Sequence, residues 1–133
     1  MQDNLYFHSK EDAQAFLTEL THIYPDNNKI SRSQDHGADI KWGLRNADGT
    51  GVMAGLTQVG SVMGYYMEDG EKVPMPGKLY YRGISVEDIV EAHRKSGTFG
   101  YEEVAYLLLL GSLPTQAQQQ RFNDVMARAR TMP

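Results

Sequence analysis

Apolar side chains first fall into a helical rhythm at Ala13, Phe16, Leu17, Leu20 and Ile23, the spacing of one buried helix face. Ser9 stands just ahead of Lys10-Glu11-Asp12, so a polar N-cap with acids in the first turn is in place. The pattern predicts a helix ending near Tyr24-Pro25, because the residue before a proline is pushed out of the α region. Pro25 to Asp39 is polar and without period, as a loop or linker would be. Gly43, Gly49, Gly51 and Gly55 keep any regular structure short up to Leu56.

The rhythm then changes. Val59 to Met67 alternates loosely, with Val62, Tyr65 and Tyr66 as strand formers, and Glu68-Asp69-Gly70-Glu71 is a strong turn signal. Pro74-Met75-Pro76-Gly77 interrupts the return path before Leu79-Tyr80-Tyr81, which predicts a hairpin with an irregular second arm. Helical signals follow to the end. Ser85 with Asp88 reads as an acidic variant of the capping box, opening a helix to about Arg94 that stops at Gly97. A second helix starts near Tyr101 and ends at Gly111, a good C′ glycine. Its Leu109 and Leu110, beside Val104, Leu107 and Leu108, imply burial on more than one side. Thr115 with Gln118 forms a full capping box for a third helix, whose stripe is Phe122, Val125, Met126 and Ala129 and whose end is set by Pro133. The fold class is therefore mainly α with a small N-terminal β-hairpin. Residues 1–40 form a helix and variable linker, and residues 41–133 the hairpin and helices.

Composition narrows the function classes. At 133 residues with 41% hydrophobic side chains, one packed domain is feasible. The net charge of −4 argues against nucleic acid as a partner, since such modules carry a basic face. There is no cysteine, which removes disulfides, thiolate catalysis and Cys-ligated metals and fits a cytoplasmic setting. The longest apolar run, Val104 to Leu110, is far short of the ~20 residues that span a bilayer, so no membrane partner is expected.

Candidate chemistry is sparse. Gly49-Thr50-Gly51-Val52-Met53-Ala54 fits the dinucleotide pattern G-x-G-x-x-A, but a polar turn precedes it and more glycines follow, so the strand–turn–helix context is missing. A turn is the better reading. His8, His22, His36 and His93 never fall at the i+3 to i+5 spacing of paired ligands, and His36 between Asp35 and Asp39 reads as a solvated loop. The acid pairs Glu87-Asp88 and Glu102-Glu103 sit in first helical turns, where the helix dipole favours them. Arg82 is able to clamp an anion, yet one arginine without convergent partners is not a site, and a structural role is favoured.

Several motifs in one order carry a family resemblance. Gly43-Leu44-Arg45-Asn46-Ala47-Asp48-Gly49-Thr50-Gly51-Val52, Gly55-Leu56-Thr57, Asp69-Gly70-Glu71-Lys72-Val73-Pro74, Tyr81-Arg82-Gly83-Ile84 and the run from Gly100 to Thr115 together resemble the opening of a citrate synthase, over roughly the last two thirds of the chain. The resemblance implies the first part of that enzyme's large helical domain. It implies a parent, homodimeric in this family, that condenses acetyl-CoA with oxaloacetate to citrate, or propionyl-CoA to 2-methylcitrate. It also implies that the catalytic histidine and aspartate motifs lie beyond the point matching Pro133. No residue here is then expected to be catalytic, cofactor-binding or metal-binding, and acetyl-CoA enters only as the parent's substrate. Arg130-Thr131-Met132 partly match an inhibitory NADH site of one bacterial branch, but Ala129 stands where that branch is basic, and a helix end is the better reading. The alternatives are a free-standing helical interaction module or a nucleotide-binding regulatory module. Cut off from a larger domain, Val104–Leu110 and the Phe122, Val125, Met126 stripe are expected to be exposed and to drive homo-oligomerisation.

Overall fold

The computed structural model describes residues 9–31, 41, 43, 45–47, 49, 51–52 and 55–130. Helix α1 (Lys10–Asn28) is followed by strands β1 (Gly60–Glu68), β2 (Glu71–Tyr81) and β3 (Ile84–Ser85), then helices α2 (Val86–Ser96), α3 (Tyr101–Leu110) and α4 (Gln116–Ala129). The strands form one antiparallel sheet in the order β1-β2-β3. The architecture is thus four helices with a small sheet, more mixed than the mainly helical expectation.

Helix α1 begins as expected, with the Asp12 amide donating to Ser9 Oγ at 3.1 Å. It does not stop at Pro25 but carries that proline inside and ends at Asn28. Proline has no N–H to give the carbonyl four residues back. The last turn is held by side-chain donors instead. Asn28 Nδ2 donates to the Tyr24 carbonyl at 2.8 Å, and Arg82 Nη1 donates to the Asn27 carbonyl at 3.1 Å. One of these bonds is local to the helix and the other crosses the fold, and together they hold the turn that carries the proline.

The hairpin turns at Asp69-Gly70, both with positive φ (49° and 85°), as a two-residue loop with right-twisting arms requires. Its irregularity takes a definite form. Met63 pairs with Lys78 and Tyr65 with Pro74, so Gly64 alone opposes Met75, Pro76 and Gly77. The prolines are tolerated because β3 pairs only with Tyr80 and Tyr81, which leaves β2 an edge strand where they fall. A second tight turn at Arg82-Gly83, with φ of 50° and 82°, folds β3 back onto β2. The sequence reading had the chain passing straight from strand to helix. For the same reason the Ser85 cap fails: its backbone belongs to the sheet, opposite Tyr80, and its side chain makes no cap bond. By contrast the Thr115–Gln118 box forms in full, with the Thr115 amide donating to Gln118 Oε1 at 2.9 Å. Gly97 and Gly111 close α2 and α3 in the left-handed conformation. Helix α4 ends at Ala129, and Pro133 lies outside the described residues.

The core sits where α1 crosses α3 and α4. Phe16, Tyr106, Leu110 and Phe122 are buried together, flanked by Leu20, Ile23, Val125 and Met126. Tyr106 and Phe122 meet edge to face at 5.4 Å, a favoured aromatic geometry. Burial pushes the Tyr106 phenol above its ordinary pKa, with the Glu19 charge adding to the effect. Arg121 lies over the Phe16 ring at 4.2 Å and reaches Glu19 at 3.2 Å. Helix α1 therefore covers Tyr106, Leu110 and Phe122, the apolar faces expected to be exposed. Leu109 of the Val104–Leu110 run stays 52% exposed, and further open apolar surface lies on the hairpin, where Val62 is 79% exposed, and at Phe99, 96% exposed.

Candidate functional site

Arg82 is the best-connected polar side chain described. Its left-handed turn aims the guanidinium at the C-terminal ends of two helices. Nε and Nη2 donate to the Leu108 carbonyl at 3.3 and 2.8 Å, Nη1 to the Asn27 carbonyl at 3.1 Å, and Nη2 to Asn28 Oδ1 at 2.5 Å. Asn27 and Asn28 extend the arrangement, donating to the carbonyls of Leu110 and Leu109 at 2.5 and 2.9 Å. The Gly111 amide donates to the Leu107 carbonyl at 2.8 Å. The last four carbonyls of α3, which have no partner within the helix, are thus all satisfied. A guanidinium also suits the negative ends of two helix dipoles. Gly111 is needed here for space, since a Cβ would stand 2.8 Å from Asn27 Cβ. With every donor group committed to protein oxygens, Arg82 is a keystone between α1, the sheet and α3, and not an anion clamp.

One acid of each pair is likewise committed. Glu87 takes Lys78 at 2.5 Å, which holds the lysine above its usual pKa. Glu102 takes Arg130 at 2.5 Å. That bond, helped by its own backbone amide, lowers the Glu102 carboxyl below its ordinary range. A depressed carboxyl contributes stability above its unfolded pKa and loses it as pH falls through the folded value. Arg130→Ala is therefore expected to cost about 0.5 kcal/mol at neutral pH, given the half-exposed guanidinium. The variant and parent stability curves converge in acid, which urea melts across pH will check. The partner acid of Glu102, Glu103, faces His93, with Nε2 to Oε2 at 3.6 Å.

Apolar recesses lie among the described residues. One of about 670 Å³ runs between α2 and α3, floored by Ile89, Val104, Ala105 and Leu108, with His93 and Phe99 at its rim. Another, about 500 Å³, lies between Leu17, Leu20 and Tyr24 of α1 and Leu109 of α3. Neither gathers convergent polar groups of the kind that orient a small substrate. Among the described residues no cluster of three metal-ligating side chains occurs, and no helix is long and apolar enough to cross a membrane.

A family model described as "Citrate synthase, C-terminal domain" matches residues 44–133, the greater part of the chain. The chain belongs to the citrate synthase family. It is 40% identical over 86 residues to 2-methylcitrate synthase 2 of Corynebacterium glutamicum, covering 65% of this chain and 17% of that protein. It is 38% identical over 73 residues to 2-methylcitrate synthase 1 of the same organism, covering 55% and 15%. The chain thus spans about a sixth of the length of these synthases. No solved structure matches it.

Within this citrate synthase family member, the motifs singled out from sequence scatter. Around the glycine pattern, Arg45 bridges to Gly51, Arg45 Nη1 donates to the Gly49 carbonyl at 2.7 Å, and the Gly49 amide donates to the Asn46 carbonyl at 3.0 Å. That is a tight turn, as expected, and Thr50, Met53 and Ala54 lie outside the described residues. His22 is exposed on α1, while His8 and His36 lie outside the described residues. Of the partial match at Arg130-Thr131-Met132, only Arg130 is described, and it is engaged with Glu102. The sequence reading missed Asn27 and Asn28 because it ended α1 before them. Asparagine beside a helix end was the available signal.

Proposed function

We propose that this chain is an N-terminal segment of a citrate or 2-methylcitrate synthase and serves as scaffold, not as catalyst. Residues 41–133 open the parent's large domain, and residues 1–40 are a helix and linker that ride on it. The observation carrying this reading is the family match over residues 44–133 joined to a structure that spends Arg82, the candidate anion clamp, on internal bonds. The parent's reaction needs a base to take the α-proton of an acyl-CoA. It needs donors to hold the enolate oxygen and the oxaloacetate carbonyl, and water to cleave the thioester. Arg82, Glu87 and Glu102 are already engaged, and no described residues converge on a pocket for those roles. Among acyl donors, propionyl-CoA has specific support beside acetyl-CoA, because both curated relatives are 2-methylcitrate synthases. The open apolar surface of the hairpin and Phe99 supports the further reading that the segment works associated with more polypeptide, in a homo-oligomer.

Release of CoA thiol tests the catalytic half. The chain has no cysteine and adds no background. With oxaloacetate and either acetyl-CoA or propionyl-CoA, the 133-residue chain is expected to show only the protein-free rate, and turnover would overturn the scaffold reading. The family half is tested by a chimera in which this chain replaces the 86 matched residues of the Corynebacterium synthase. Condensation activity should survive the exchange. A folded chimera without activity would count against equivalence.

A further inference from the structure

We infer that the corner between α2 and α3 is a proton-operated latch, with His93 as its moving charge and Glu103 as its catch. The corner occupies a joint. Helix α2 packs on β2 and β3, whereas α3 packs on α1 and α4, and the open groove of about 670 Å³ lies between α2 and α3. Arg82 ties the Leu108 end of that groove. His93 stands at the other, beside the chain crossing from Gly97 to Gly100.

The ring is held on one side and waiting on the other. His93 Nδ1 meets Thr98 Oγ1 at 2.8 Å, Thr98 Oγ1 meets Ser96 Oγ at 2.7 Å, and Ser96 Oγ donates to the His93 carbonyl at 3.2 Å. The hydrogens run consistently round this loop when Nδ1 is the donor to Thr98. Nε2 is then left shut from solvent without a hydrogen-bond partner, 3.6 Å from Glu103 Oε2. In the neutral ring of that tautomer, a lone pair faces a carboxylate. Protonation turns Nε2 into a donor aimed at the same oxygen, so the imidazolium closes the corner and the neutral ring loosens it. The remaining acids nearby face elsewhere: Glu91 holds Arg94 and Lys95, Glu87 holds Lys78, and Glu102 holds Arg130. Gly100 seats the ring, because a Cβ there would stand 2.5 Å from His93 Cδ2 and 2.6 Å from Nε2. Histidine is the side-chain type whose charge change ordinarily falls between about pH 5 and 8, which sets the pH range of the test.

Amide exchange of the whole chain tests this, with protection factors corrected for intrinsic pH dependence. Raising the pH through the imidazole range is expected to lower protection at Thr98, Phe99, Gly100 and Tyr101 by roughly two- to fivefold, the factor that a partly exposed ion pair supports. Protection at Leu107 and Phe122 should hold steady. Glu103→Gln should flatten the dependence at the corner, and His93→Gln should abolish it. The latch is overturned if parent protection there does not change with pH, or if Glu103→Gln keeps the parent's dependence, which would assign the effect to other histidines. A His93→Gln chain that fails to fold leaves Glu103→Gln to decide, since that change keeps size and removes only the charge.

Discussion

Arg82→Ala is expected to cost the protein about 3 kcal/mol of folding stability, a fall in Tm of roughly 10 °C. The change deletes every donor on the Leu108 and Asn27 carbonyls that comes from the sheet side. Hydrogen bonds to a charged group are each worth about 1.5–3 kcal/mol when their partners are left bare. The guanidinium is part-buried and its bonds act as one network, so the losses do not add in full. A second substitution separates side chain from backbone. Arg82 sits at φ 50°, a conformation that costs a non-glycine residue about 1 kcal/mol. Arg82→Gly should therefore be more stable than Arg82→Ala by about that amount, although it too loses every contact. Arg82→Lys keeps the charge without the planar fork and should recover only part of the loss. Urea melts of the three variants check the order. Equal stability of parent and alanine variant would remove Arg82 from its place as keystone.

Phe16→Ala is expected to be the most damaging change, at about 3–5 kcal/mol. Phe16 is fully buried, and beside it only Ile89, Tyr106, Leu107, Leu110 and Phe122 are buried hydrophobics among the described residues. A core this small stands on a total stability of roughly 5–15 kcal/mol, so a cavity of phenylalanine size brings the chain close to unfolding. Loss of the Arg121 contact over the ring adds about 0.5–1 kcal/mol. Phe99→Ala is the matched control, an equal loss of carbon at a site 96% exposed, and should stay within about 0.5 kcal/mol of the parent. Equal effects at the two positions would mean that α1 does not pack on α3 and α4 as described.

The two variants also separate two kinds of information. Phe16 is legible in the sequence as part of a helical stripe. Arg82 is legible as a residue of a family-like motif, but its partners are not. Asn27, Asn28 and Leu108 lie 26 to 55 residues away, and no local pattern states that two helix ends will meet there. The candidate site was readable in a similar way. The glycine pattern around Gly49 was open to being judged a turn because the context for a phosphate site is itself local. The His93 corner was hidden because Gly100 and Glu103 acquire meaning only when α2 and α3 are set side by side.

Local chemistry in the chain was sufficient for the starts and stops that depend on neighbours: the Ser9 cap, the Thr115–Gln118 box, the Asp69-Gly70 turn and the left-handed glycines at 97 and 111. Each is a bond or a backbone angle settled within a few residues. The motif order from Gly43 to Thr115 likewise pointed to the citrate synthase family. The passage of α1 through Pro25, the loss of the Ser85 cap to the sheet and the covering of Phe122 by α1 were decided by the tertiary structure. At Pro25 and Phe122 contacts between distant segments, and at Ser85 a strand pairing with Tyr80, outweighed a local preference of about 1 kcal/mol or a few, which is the margin that packing readily supplies.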